Sequence, residues 1–227
     1  MKLVNVMADK KKQKKEKNVV PKYSLAEELI NAISHGIGAG LAIAALVLLC
    51  IRAHSAIGVV SGVIYASIMI VLFIISCIYH SLSPKLKGKK VLRVIDHVNV
   101  LLMVAGTYTP ICLALIKGGL GWVMFGIVWA ITIFSVVLNC INVDKYQLAE
   151  VLSCLIIGWG SLLIINRLIQ VCPKPGLVLL ILGGVVYSIG AILYGVGRKV
   201  KYMHSIFHFF VLGGAILHFF LIYFYVV

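Results

Sequence analysis

Long apolar runs constrain this chain more than any other feature. A helix needs about 20 mostly apolar residues to cross the hydrocarbon core of a bilayer. Seven such segments follow one another, at approximately 33–51, 58–80, 94–116, 121–141, 148–170, 177–197 and 204–226. Only 12% of the 227 residues are charged, whereas a soluble domain has roughly 25%. The sequence therefore excludes a water-soluble globule and predicts an all-α membrane protein, a bundle of seven transmembrane helices.

The basic residues indicate how this bundle is oriented. The net charge is +14, and eight of the 21 Lys and Arg residues lie within residues 1–23. This segment is predicted to be a disordered basic cytoplasmic tail, followed by a seven-helix domain at 24–227. With the tail inside, 17 basic residues lie on the cytoplasmic side and 4 on the other. The positive-inside rule then predicts a cytoplasmic N-terminus and an extracellular C-terminus.

The same distribution indicates the partners and the location. The basic residues lie in the tail and in short connections between apolar runs, and they do not outline a groove. We therefore expect membrane lipids as partners, no nucleic acid, and a multi-pass location in the cell membrane.

Ionisable residues inside spans need a reason, because one at a helix centre costs about 2.5–3.5 kcal/mol on insertion scales. The predicted topology brings His80, Asp96, His204 and His208 to one layer near the cytoplasmic face. His204 and His208 are four residues apart and share a helix face. Together with a third histidine from another helix, they predict a zinc site of the catalytic type. Asp96 would orient a water molecule at the metal or accept its proton, and the Ser76 hydroxyl would reach the same face.

Three polar residues lie on one face at the cytoplasmic start of the first segment. Glu28, Asn31 and His35 are spaced at i, i+3 and i+7. They would support the metal ligands from behind, form a substrate entrance, or make an ordinary polar face at the membrane interface. The sequence leaves these alternatives open.

Three further positions carry expectations about packing. His97 points about 100° around its helix from its neighbour Asp96, and we expect it to be a packing or headgroup residue. His218 lies about 15 Å beyond His208 along the helix, so we expect it to form a hydrogen bond inside the bundle. Pro110 predicts a local kink whose freed carbonyl group is satisfied by a neighbour.

The chain resembles the hemolysin III family in five motifs, which are Glu28-x-x-Asn31-x-x-x-His35-Gly, Ser76-x-x-x-His80, Asp96-His97, Ala105-Gly-Thr-Tyr-Thr-Pro110 and His204-Ser-Ile-Phe-His208. This family is grouped with the progestin and adipoQ receptors and, more distantly, with the alkaline ceramidases. The resemblance covers about residues 24–227 and is to the bacterial, short-loop type, so it does not carry receptor function.

The resemblance implies a seven-helix bundle with zinc near the cytoplasmic face. His80, His204 and His208 would be the metal ligands, Asp96 would contact the zinc-bound water, and Ser76 would be the accompanying hydroxyl. Three functions follow as hypotheses. The first is a zinc-dependent hydrolase of a lipid amide or ester. The second is a non-enzymatic sensor or regulator of membrane lipid state with structural zinc, and the third is a cytolytic, pore-forming protein.

Overall fold

The computed structural model describes residues 20–197 and 200–227, and all regular structure within these ranges is helical. The helices are α1 (Leu25–Arg52), α2 (Ala56–Ser81), α3 (Gly88–Pro110), α4 (Gly118–Trp159), α5 (Ile165–Val171), α6 (Lys174–Val196) and α7 (Met203–Tyr225). A π-helical turn, Ile111–Ile116, extends α3, and a 3-10 turn, Gly160–Ile164, joins α4 to α5. Most of the predicted basic tail, residues 1–19, lies outside the described residues.

The start of α1 is stabilised by a reciprocal cap. The Ser24 hydroxyl accepts a hydrogen bond from the Glu27 backbone N–H, and Glu27 Oε2 accepts one from the Ser24 backbone N–H at 2.8 Å. This pattern satisfies two N–H groups that a helix start leaves unpaired. Glu27 Oε1 also accepts a hydrogen bond from the Tyr202 backbone N–H at 2.8 Å. The cap therefore ties the beginning of α1 to the beginning of α7.

The hydrogen-bond pattern of the helix changes at Pro110. α3 ends there, and the chain continues as the π-helical turn Ile111–Ile116. Nearby, the Tyr108 hydroxyl donates to the Ile157 carbonyl at 2.7 Å and accepts from the Ser161 backbone N–H at 2.8 Å. The Tyr108 side chain thus satisfies backbone groups at the end of α4 and in the 3-10 turn, as the interior of a bilayer requires.

The fourth helix folds back on itself. Asn142 has an extended backbone (φ −167°, ψ 100°) in the middle of α4, and its Oδ1 accepts from the Lys145 backbone N–H at 3.1 Å. The Ser135 hydroxyl donates to the Ser153 hydroxyl at 2.8 Å. In a straight helix, positions 18 residues apart would be about 27 Å apart. The predicted segments 121–141 and 148–170 are therefore the two arms of a helical hairpin.

The chain contains six helical elements that are long and apolar enough to cross a membrane among the described residues. One of them, Gly118–Val171, has 54 residues and includes the hairpin. Large apolar side chains cover the outside of the bundle, with Leu163 88% and Leu25 76% exposed. An apolar exterior of this kind fits a lipid surrounding, and the protein is a multi-pass membrane protein.

Helix ends meet at two opposite faces of the bundle. At the face where α3 and α7 begin, Arg93 Nη2 donates to Asp144 Oδ1 at 2.6 Å, which ties α3 to the bend of the hairpin. At the other face, Arg52 Nε donates to the Tyr223 carbonyl at 3.4 Å and joins the end of α1 to the end of α7. We call the first the entry face, and all the predicted site residues lie toward it.

Candidate metal centre

Three buried histidines form a compact cluster near the entry face. His80 is on α2, and His204 and His208 are one turn apart on α7. One ring nitrogen of each lies within 4.8 Å of the others, and the Nε2 atoms of His204 and His208 are 3.2 Å apart. Two nitrogens bound to the same tetrahedral zinc ion would be about 3.3 Å apart. The buried His80 Nε2 has no hydrogen-bond partner. The cluster can therefore hold a metal ion.

A half-buried carboxylate and a buried lysine support His80 from behind. Glu28 Oε2 accepts from His80 Nδ1 at 2.6 Å, and Glu28 Oε1 accepts from Lys89 Nζ at 2.5 Å. Lys89 is fully buried and also donates to the Leu82 carbonyl at 2.8 Å. The carboxylate holds the ring so that Nε2 is directed at the cluster, the usual arrangement behind metal-bound histidines. This position of Glu28 favours the supporting role among the alternatives that the sequence left open.

Asn31 and His35 lie against the same cluster. The Asn31 side-chain nitrogen is 3.3 Å from His80 Nδ1. The ring centre of His35 is 3.9 Å from that of His208, and its other side packs edge-on against Phe73. Both His35 ring nitrogens are buried and have no hydrogen-bond partner. The predicted i, i+3, i+7 face of α1 is thus directed at the three histidines.

Ser76 and Asp96 complete the set of predicted residues. Ser76 is buried one turn before His80 on α2, and its hydroxyl has no hydrogen-bond partner. Asp96, on α3, is half-buried and faces Ser76, His80 and His97. The structure therefore brings all five predicted catalytic and metal-binding residues to one place.

Tyr23 covers the cluster from the entry face. Its ring stacks on His204, with ring centres 4.8 Å apart and an angle of 14° between the planes. Burial, with the nearby Glu28 carboxylate, raises the pKa of the Tyr23 hydroxyl. This hydroxyl therefore stays protonated. Sequence reasoning placed Tyr23 in the tail and missed its contact with the site, because no pattern marks a loop residue as a lid on a distant helix.

A second polar pair lies beside the cluster and was missed from the sequence. His97 Nδ1 is 2.9 Å and 3.1 Å from the two carboxylate oxygens of Glu150, in the second arm of the hairpin. The Tyr194 hydroxyl is 3.4 Å from the same nitrogen and accepts a hydrogen bond from Gln147. The expectation that His97 is a packing or headgroup residue is wrong, because its ring contacts the Glu150 carboxylate beside the cluster. The signal was available, since Glu150 is the one acidic residue in 148–170.

The other expectation about a histidine is confirmed. His218 lies deep in the bundle, where its Nε2 is 3.3 Å from the Leu180 carbonyl. A Cβ on Gly183 would lie only 2.3 Å from the His218 ring, so α6 can approach α7 here only with glycine at this position.

Two cavities meet beside the candidate metal centre, at His204. One is apolar, with a volume of about 130 Å³, and runs between α3, α4, α6 and α7 toward the middle of the bundle. The other is a polar vestibule of about 470 Å³ that opens at the entry face and is bordered by Lys22, Arg93 and Lys201. The residues that border both cavities are Asp96, His97, Tyr194 and His204. A long amphiphilic molecule that occupied both cavities would pass the metal cluster.

These features define a class of protein: a multi-pass helical membrane protein with three buried histidines near one face of the bundle. Residues 23–219 match the family described as Haemolysin-III related. The chain belongs to this family, as the resemblance of its motifs indicated. It is 38% identical to Hemolysin-3 of Bacillus cereus over 203 residues, which cover 88% of this chain and 92% of that protein.

Two further relatives are similar to most of the chain. The Hemolysin-3 homolog of Bacillus subtilis (strain 168) is 38% identical over 208 residues, covering 90% of this chain and 97% of that protein. The human monocyte to macrophage differentiation factor is 25% identical over 166 residues, covering 70% of this chain and 67% of that protein. It is a distant relative from the progestin and adipoQ receptor family.

Proposed function

We propose that the protein is a zinc-dependent hydrolase of a lipid amide or ester. The observation that carries the proposal is that an apolar cavity and a polar vestibule both border Asp96 and His204, and that His204 belongs to the cluster of three histidines. An acyl lipid needs this combination, because its chain must stay in an apolar space while its headgroup stays hydrated. Its scissile carbonyl would then lie at the junction, beside the metal cluster.

The proposal includes seven membrane spans, a cytoplasmic N-terminus and a location in the cell membrane. The 54-residue element Gly118–Val171 would be about 81 Å long as a straight helix, whereas the hydrocarbon core is about 30 Å thick. The fold-back at Asn142 divides this element into two arms, each long enough to span. The bend then lies at the entry face with the Lys-rich connection before α3, and the positive-inside rule makes this face cytoplasmic.

The residues of the cluster fit zinc. Among the described residues the cluster offers three imidazoles, and three protein ligands on a tetrahedral ion leave one coordination position for water or substrate, as in catalytic zinc sites. When bound, zinc supplies a Lewis acid that activates water and polarises a carbonyl group. Asp96 would accept the proton that water loses, and the unpartnered Ser76 hydroxyl would donate a hydrogen bond to the carbonyl oxygen as negative charge develops there. Glu28 and Lys89 would keep His80 in position.

Hydrolysis of a panel of lipid amides and esters by purified protein tests the proposal, together with the zinc content of each sample. We expect wild-type turnover that disappears on chelation and returns with added zinc. His208→Ala should lose both zinc and activity, whereas Asp96→Asn should keep zinc and lose activity. His54→Ala, at an exposed position near the opposite face, is the matched control. Turnover that survives chelation would contradict the proposal.

A structural role for the metal is the second candidate, and one observation favours it. The cluster joins α2 to α7, which are distant along the chain, so a bound ion would tie the two helices together. In that case the protein would be a sensor or regulator of membrane lipid state. Metal removal would then lower its thermal stability, and no lipid in the panel would be hydrolysed.

The names of the bacterial relatives suggest a third candidate, cytolysis. Leakage of dye from liposomes measures it directly. Leakage that persists in His80→Ala and His208→Ala, combined with no lipid turnover, would support this candidate over the other two.

A further inference from the structure

The pair formed by His97 and Glu150 is a second acid–base site beside the metal cluster. Both oxygens of the Glu150 carboxylate lie within 3.1 Å of His97 Nδ1. This contact fixes the orientation of the ring and leaves Nε2 as the nitrogen that can act on a ligand. His97 borders both the apolar cavity and the vestibule. The ring is therefore held where the two cavities meet, although it is not one of the three clustered histidines.

The charged groups nearest to His97 are mostly acidic. Glu150 is only 4% exposed and lies in an apolar segment, where an unpaired carboxylate would be costly. The charged groups that face His97 are Glu150, the adjacent Asp96 carboxylate and the guanidinium of Arg93. Arg93 is itself paired with Asp144 at 2.6 Å. Two carboxylates therefore face the ring, whereas Arg93 has a carboxylate partner of its own.

Hydrolysis of an amide needs a proton at the leaving nitrogen, because an amide anion is a very poor leaving group. Asp96 is suited to accept a proton from water, and a second group that carries a proton would let the leaving atom be protonated from another position. His97 follows Asp96 directly on α3 and is turned about 100° around the helix axis, so the two side chains reach the junction from different directions. This arrangement separates the proton acceptor from the proton donor.

We propose that His97, positioned by Glu150, is the proton donor to the leaving group of the lipid substrate. This inference rests on the proposed hydrolase function. Water adds its oxygen to the acyl carbon and gives one proton to Asp96. The bond from carbon to the leaving nitrogen or oxygen breaks, its electron pair stays on that atom, and the atom takes the proton of His97 Nε2. The proton on Asp96 returns to His97 through water in the vestibule, so that one water molecule is consumed in each turnover.

The role of the donor depends on the leaving group, and this dependence is the basis of the test. An amine cannot leave without a proton, whereas p-nitrophenolate leaves without one. A matched substrate pair is a long-chain N-alkyl amide and the p-nitrophenyl ester of the same acid. Wild type, His97→Gln, Glu150→Gln and the control His54→Gln are compared on both substrates, with zinc content and melting temperature measured for each.

We expect His97→Gln to lower kcat/KM for the amide by about 100-fold or more, the range found for a lost general acid. Its rate with the p-nitrophenyl ester and its zinc content should stay close to wild type. Glu150→Gln should act in the same direction with a smaller loss, because it removes only the group that positions the ring.

Equal losses on both substrates, or unchanged rates on both, would overturn the assignment of His97 and leave the hydrolase proposal intact. Failure of the wild type to hydrolyse either substrate would overturn both proposals together. A loss of zinc in His97→Gln would also contradict the assignment, because it would show that His97 acts on the metal ligands.

Discussion

Replacement of Glu28 by glutamine tests whether the carboxylate behind His80 tunes the candidate metal centre. The change keeps the size of the side chain but removes the charge that accepts from His80 Nδ1 at 2.6 Å and from Lys89 Nζ at 2.5 Å. Hydrogen bonds to charged groups contribute about 1.5–3 kcal/mol. Loss of such a supporting partner typically weakens metal binding by about 10–100-fold, or roughly 1.4–2.8 kcal/mol. We expect Glu28→Gln to weaken zinc binding by this amount.

Competition with a chelator of known affinity measures the effect. Glu27→Gln is the matched control, because Glu27 is the adjacent acidic residue and contacts Ser24 and Tyr202 but none of the three histidines. It should lower the melting temperature, because an amide has one acceptor oxygen for the two backbone N–H groups that Glu27 holds, and it should leave zinc affinity unchanged. Equal zinc affinities in the Glu28 and Glu27 variants would refute the reasoning.

A double variant separates metal affinity from folding. Glu28→Gln leaves the ammonium of the buried Lys89 without its carboxylate, which destabilises the fold as well as the site. Glu28→Gln with Lys89→Met removes this unpaired charge. We expect the double variant to recover thermal stability while its zinc affinity stays low. Recovery of both would mean that Glu28 acts only on folding.

Three further predictions concern packing, the hairpin and the apolar cavity. A Cβ at Gly38 would lie 2.8 Å from the buried Phe73 ring, whereas one at Gly40 would meet nothing within 4 Å. Gly38→Ala should therefore lower the free energy of unfolding by about 1–3 kcal/mol. Gly40→Ala should leave it unchanged or raise it by up to about 1 kcal/mol. Thermal unfolding of the detergent-solubilised protein measures both. Asn142→Ala removes the side chain that accepts from the Lys145 backbone N–H and should lower the free energy of unfolding by about 1 kcal/mol in the same assay. An unchanged melting temperature would argue against this cap. Ala191→Phe, on the wall of the apolar cavity, should lower kcat/KM by about tenfold more for long-chain than for short-chain substrates. The lipid-facing Ala44→Phe is its control, and an equal effect of the two variants would contradict this use of the cavity.

Much of the site was predictable because spans alternate in direction. Once the apolar segments were assigned, His80 at the end of one span and His204 at the start of another had to lie at the same depth. The spacing of His204 and His208 then placed their rings on one helix face. The face with Glu28, Asn31 and His35 was predictable as a unit, but its role was not, since the rotation of α1 about its own axis is set by packing against α2 and α7.

Two residues show where reasoning from the sequence failed. Lys89 looks like an ordinary basic residue of a cytoplasmic connection, yet it is fully buried and bound to Glu28. His97 looks like a residue on the wrong side of its helix for the site, yet Glu150 holds it at the edge of both cavities. In each case the deciding partner is more than 50 residues away in the chain and leaves no local pattern.

Hydrophobicity and helical spacing are local properties, so the amino-acid order alone determined the membrane class, the approximate helices and the depth of the histidines. The tertiary structure decided which side chains pair, where α4 folds back, and that an apolar cavity and a polar vestibule meet beside the histidines. The physical reason is that contacts between helices depend on their tilt, rotation and close packing. These quantities emerge only when all the helices are assembled.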